Sequence, residues 1–188
     1  MSQTLDRTAK TPATQAPAPV VDVAALGEQL MGTWRDIRRT SRALAARPEI
    51  KRVEGQSLDE HRKRVMEQLH LLVEEGAVHR AFPKSVGGEE NHGGNIAGFE
   101  ELVLADPSLQ IKSGVQWGLF GAAVMHLGTE RHHKQFLPGI MDLSIPGAFA
   151  MTETGHGSDV SAIGTTATYN VDAQEFVLNT PFRAAWKD

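Results

Sequence analysis

Up to about residue 145 the apolar positions recur at helical spacing, and beyond it they fall into short strand-like runs. Val23, Leu26, Leu30, Trp34 and Ile37 are spaced by threes and fours behind Asp22, which predicts a helix with Asp22 as its N-cap. The basic run RRTSRALAAR continues or briefly breaks that helix, and Pro48 ends it. Ser57 and Glu60 stand three residues apart at the head of a second helix, the spacing of a capping box. Leu58, Val65, Leu69, Leu72 and Val73 form its apolar side, and Gly76 is its C-cap.

FPKSVGGEENHGG predicts a loop, with Gly87, Gly88, Gly93 and Gly94 supplying positive-φ freedom. A short helix through Phe99, Leu102 and Val103 stops at Asp106 and Pro107. From Gln110 to Leu127 the chain is apolar nearly all round, as in a helix buried between others, and its glycines and alanines permit close approach. Gly128 closes it, Thr129 caps the helix ERHHKQFL, and Pro138 ends that element. PGAFAM (146–151) reads as a short apolar strand, and residues 161–180 as two strands around a turn at 171–174. The fold class is therefore α+β, an all-helical part followed by the start of an antiparallel β domain. So few strands leave edges unpaired and one face uncovered, which implies a larger sheet.

Composition narrows the function. Among 188 residues, 19 basic against 23 acidic side chains give a net charge of −4, which argues against a general nucleic-acid binder. The absence of cysteine removes disulfides, thiolate nucleophiles and Cys-based zinc sites. No apolar run reaches the roughly 18–20 residues of a membrane span, and the first 20 residues lack a signal peptide's apolar centre. They read instead as a disordered arm, and the composition suits the cytoplasm. His126, His132 and His133 invite a metal reading, but adjacent histidines face different sides of a helix, so no metal site is expected.

The chemistry concentrates in MTETGHGSD, residues 151–159. Gly155 and Gly157 let backbone amides face outward, while Thr152 and Ser158 offer hydroxyls. Such a loop suits a flat heteroaromatic with carbonyls, or a pyrophosphate, and its composition equally suits a turn between strands.

FAMTETGHGSD, preceded by GTERHHKQFLPGI and followed by TTATYNVDAQEFVLNTP, resembles the acyl-CoA dehydrogenase/oxidase flavoprotein superfamily, and within it the acyl-CoA oxidase branch. Gly128, Thr129, Glu130, Lys134, Leu137 and Pro138 carry the first motif, and Thr152, Glu153, Gly157, Ser158 and Asp159 the second. Position 154 is Thr, where common dehydrogenases have proline and many oxidases leucine.

The resemblance implies a disordered arm (1–20), an N-terminal helical domain (21–145) and an incomplete middle β domain (146–188), with the C-terminal helical domain absent. It implies FAD as cofactor, held by Phe149, Ala150, Met151, Thr152, Gly157 and Ser158, with Ser158 also at the substrate's thioester end. The implied reaction is α,β-desaturation of a fatty acyl-CoA, with O₂ reduced to H₂O₂, by a protein that is a homodimer when full length. The family's catalytic glutamate lies beyond Asp188, so no catalytic residue is assigned here and the chain alone should not turn over. Glu153 is implied to brace the loop rather than act as base. The alternatives are an acyl-CoA dehydrogenase that passes electrons to a protein partner, and a non-enzymatic module that binds acyl-CoA or a partner.

Overall fold

A computed structural model describes residues 20–187; the arm expected over residues 1–20 lies, but for Val20, outside the described residues. Helix α1 (Val23–Leu30) starts where the Asp22 carboxylate accepts the Ala25 amide hydrogen, as its sequence requires. It stops at Gly32, whose φ of +63° only glycine adopts without strain, and α2 (Arg35–Ala45) follows. Helix α3 (Leu58–Glu74) opens with the Ser57–Glu60 capping box, and Gly76 leaves it with φ +68°.

Helix α4 (His92–Glu101) takes in Gly93 and Gly94, which the sequence placed in a loop. Asn91 caps it by accepting the Gly94 amide hydrogen, and any side chain at 93 or 94 would run into Trp34 or Ile37. Those two glycines serve close helix contact, and of the four loop glycines only Gly87 has positive φ.

One long helical rod follows. Helix α5 (Pro107–Ser113) passes without a break into a π-helical segment (Gly114–Gly121) and then α6 (Ala122–Leu127). Helix α7 (Glu130–Met141) runs straight through Pro138, contrary to the expected stop. Proline removes one ladder hydrogen bond, but Leu137, Ile140 and Met141 are buried on the same turns and hold the helix together beyond it. The core joins Leu69, Leu72, Phe82, Leu102, Leu109, Trp117, Leu137 and Ile140 across these elements.

Residues 146–151 belong to no strand, and the Met151 amide turns back to the Phe149 carbonyl at 3.1 Å, so the strand expected for PGAFAM is corrected to an irregular connection. Phe149 and Met151 are exposed, and no neighbouring strand among the described residues offers a ladder. Beyond it β1 (Thr166–Asn170) and β2 (Glu175–Asn179) form an antiparallel hairpin, Thr168 opposite Val177, around the anticipated turn at 171–174. Gln174 takes up the positive φ, +53°. Every residue of both strands is exposed. The architecture is thus a helical domain followed by the start of an antiparallel β domain. No described helix is long and apolar enough to cross a membrane.

Candidate functional site

Two features stand out: an apolar cavity inside the helical part and the loop at 151–158. The cavity holds about 290 Å³ and lies between α2, α3, α4 and the long rod. Leu72, Phe82, Phe99, Leu102 and Trp117 make its walls, and Ser41, Arg80, Asn95 and Ser113 are its few polar members. No carboxylate lines it. The rod contributes most on one side because its small residues, Gly114, Gly118 and Ala122, leave the space open.

The π segment carries a second function that the sequence pattern concealed. Gln116, 2% exposed, donates through Nε2 to the carbonyls of Ile140 (3.3 Å) and Ile145 (3.0 Å) and accepts the Gly147 amide hydrogen at Oε1 (2.8 Å). Trp117 donates its indole N–H to the same Ile140 carbonyl at 2.9 Å. A glutamine inside the apolar run GVQWGLFG was the available signal, since a buried amide must find partners. The clamp fixes where the chain leaves α7 and heads for the loop.

The loop is held from behind by the last described residues. The amides of Thr154 and Gly155 donate to the carbonyls of Trp186 and Ala184, each at 2.8 Å. Gly155 is therefore needed because Ala184 sits where its Cβ would be, and its amide faces inward, not outward as the sequence suggested. Glu153, 1% exposed, is the centre of this brace. Its carboxylate accepts the amide hydrogens of Gly164 (2.8 Å) and Thr165 (2.9 Å) and the Thr165 hydroxyl, with the Lys187 ammonium at 3.1 Å. Nδ1 of His156 lies 3.3 Å from the same carboxylate. Burial opposes ionisation of Glu153, but the Thr165 hydroxyl, the two amides and Lys187 outweigh it and hold the carboxyl well below the usual range. So engaged, the carboxylate braces the loop.

Phe149, Ala150, Met151, Thr152, Gly157 and Ser158 are all exposed. Among the described residues the amides of Thr152, Gly157 and Ser158 donate to no backbone carbonyl, and Gly157 has open space where a side chain would stand. Thr152, Gly157 and Ser158 thus keep amides without a backbone acceptor among the described residues, and the side chains of Phe149 and Met151 are exposed nearby in the chain. That donor set fits the polar edge of a flavin ring or its pyrophosphate, both of which accept hydrogen bonds.

His132, one of the histidines that suggested a metal, instead completes the N-cap of α7. Its Nδ1 accepts the Thr129 amide hydrogen at 3.0 Å.

Residues 33–144 match the family described as acyl-CoA dehydrogenase, N-terminal domain. The chain belongs to that family. All the residues lining the cavity fall inside the matched range, and the loop follows it. Acyl-coenzyme A oxidase 2, peroxisomal, of Arabidopsis thaliana is 40% identical over 142 residues, covering 76% of this chain and 20% of that protein. The crystal structure of acyl-CoA oxidase1 from Yarrowia lipolytica superposes with a TM-score of 0.67 at 25% identity, over 81% of this chain and 22% of that one. Butyryl-CoA dehydrogenase from Megasphaera elsdenii superposes with a TM-score of 0.60 at 26% identity, over 77% and 39%. The chain therefore spans about a fifth of the oxidases it matches. Within the acyl-CoA dehydrogenase family, its relatives in sequence carry the oxidase name.

Proposed function

We propose that this chain is the acyl-binding helical domain and flavin-facing loop of an acyl-CoA oxidase, an enzyme that desaturates fatty acyl-CoA to trans-2-enoyl-CoA and reduces O₂ to H₂O₂. The apolar cavity carries the reading. Its volume, just below the roughly 300–1,000 Å³ typical of ligand pockets, and its apolar lining suit the tail end of an acyl chain. The division into residues 21–145 and 146–188 belongs to the same proposal, as do the homodimer and the cytoplasmic location. Arabidopsis relatives carry "peroxisomal" in their names, so fractionation of the source cells distinguishes the two compartments.

The residues divide the work. Phe82, Phe99 and Trp117 desolvate the tail, so that part of the binding energy comes from apolar area removed from water. Thr152, Gly157 and Ser158 orient the cofactor through their free amides and hydroxyls, with Phe149, Ala150 and Met151 along its face. Bound FAD supplies the hydride-accepting chemistry. Ser158 also contacts the thioester end of the substrate. Proton removal from the α-carbon needs a carboxylate, and none lines the cavity while Glu153 is fully engaged. The described residues bind and orient; alone they do not turn over.

The test uses the purified chain with FAD and palmitoyl-CoA. Palmitoyl-CoA should bind and raise the melting temperature without peroxide appearing. Robust peroxide formation would overturn the inactivity, and failure to bind palmitoyl-CoA would overturn the reading itself. The likeness to butyryl-CoA dehydrogenase favours a second reading, transfer to an electron-carrying partner. In the full-length enzyme that reading predicts dye reduction without peroxide.

A further inference from the structure

We propose that Gln116 is a positioning residue through which occupancy of the apolar cavity is transmitted to the segment entering the loop at 147–152. The inference rests on the cavity and loop assignments above and adds the connection between them. Three observations carry it. The first is that Trp117 lines the cavity while its indole N–H is bonded to the Ile140 carbonyl, which Gln116 also engages. A molecule seated against the Trp117 ring therefore acts on an acceptor that both side chains share.

Second, Gln116 is the only described side chain that hydrogen-bonds the Gly147 amide, and it holds the Ile145 carbonyl at the same time. Residues 145 and 147 are thus tied to the rod through Gln116, while the Ile145 amide also donates to the Gly139 carbonyl of α7 at 2.8 Å. Phe120 of the same π segment packs where a side chain at Gly147 would stand, so the grip is steric as well as polar. Third, both side chains sit in π-helical geometry. Such segments have a wider turn and a less favourable backbone than the α-helix, and they tend to occur at functional sites. In that backbone, the neighbours Gln116 and Trp117 both reach Ile140, which locks the helix end, the cavity wall and the exit segment to one carbonyl. A packed unit of this kind shifts as a body between discrete arrangements, which is how a local contact reaches a distant segment.

Amide hydrogen exchange at Gly147, read by NMR on the full chain, tests the connection. Palmitoyl-CoA should slow Gly147 exchange by roughly fivefold to tenfold, the lower part of the usual range for coupled sites. Gln116→Met keeps the side chain's bulk and removes its hydrogen bonds. In that variant the ligand effect at Gly147 should vanish while palmitoyl-CoA affinity stays within about twofold. A purely structural glutamine would instead lower affinity and protection throughout the helical part. The proposal is overturned if the ligand leaves Gly147 unchanged in the native chain, or changes it equally in Gln116→Met. Should palmitoyl-CoA not bind, the cavity reading fails and Ala122→Leu, which fills the cavity from its wall, takes the ligand's place. A change at Gly147 in Ala122→Leu that disappears in the double variant with Gln116→Met supports the connection. No change, or the same change in both backgrounds, overturns it.

Discussion

The buried carboxylate of Glu101 accepts a hydrogen bond from Arg42 Nε at 2.7 Å, across 59 residues of sequence. Arg38 approaches the other oxygen at 3.2 Å, so two arginines of α2 hold one acid at the end of α4. The pair sets the spacing between the helices that flank the cavity. Burial opposes ionisation of Glu101, but the hydrogen bonds from Arg42 and Arg38 outweigh it and lower its pKa.

A lowered folded-state pKa means stability that is present above the unfolded-state value and is lost as pH falls through the folded-state value. For Glu101 the loss begins near the ordinary glutamate value, about 4.3, and continues below it. Glu101→Gln should therefore reduce stability at pH 7 by about 1–2 kcal/mol, the contribution of charge-assisted hydrogen bonds discounted for the solvent exposure of Arg42. It should also flatten the acid limb of the melting curve. Thermal unfolding from pH 3 to 7 checks both; an unchanged acid limb contradicts the assignment.

Glu153→Gln keeps the shape of the brace and removes its charge. Faster amide exchange at Gly164 and Thr165 is expected, along with a lower melting temperature at pH 7. The difference from the native chain should shrink as pH falls below the ordinary carboxylate range, because a lowered pKa loses its stabilising effect in that direction. Affinity for free palmitate, which lacks the thioester end, should not change in calorimetry, since Glu153 is absent from the cavity wall.

Gly147→Ala places a methyl group against the Phe120 ring. Overpacking of this kind costs roughly 1–3 kcal/mol. Chemical denaturation should show that loss as a lower midpoint. Restoration by Phe120→Leu in the double variant would identify the ring as the cause.

At the cavity mouth, Gly118 is exposed and open space surrounds its Cβ position. Gly118→Leu should therefore fold with stability within about 0.5 kcal/mol of the native chain, apart from the small gain expected of leaving glycine in a helix. Its affinity for palmitoyl-CoA should fall roughly tenfold, as expected where a side chain takes the place of buried methylenes worth about 0.8 kcal/mol each. A titration series of acyl-CoAs of increasing length measures this; a uniform affinity across the series rules out Gly118 as part of the mouth.

Local features are legible in the amino-acid order itself. Asp22, the Ser57–Glu60 box and Gly76 act on neighbours within a few residues, so spacing alone reveals them. The hairpin around 171–174 is legible for the same reason. Glu153 as a brace follows from resemblance, and only the folded chain supplies its partners at 164, 165 and 187.

The departures from the sequence pattern share one cause. Gly93 and Gly94 look like loop residues until Trp34 and Ile37 pack against them. Pro138 looks like a stop until the burial of Ile140 and Met141 carries the helix past it. Residues 146–151 look like a strand, yet strand structure needs a partner ladder that their own sequence does not contain.

By itself, then, the sequence determined the starts of α1, α3 and α7, the hairpin and the family, because each depends on contacts or motifs close along the chain. The tertiary structure alone decided the π-helical turn, the Gln116 clamp on Gly147 and the arginine pair on Glu101. These depend on residues tens of positions apart meeting around the buried side chains of Gln116 and Glu101, whose polar groups must find partners that only the packed fold supplies.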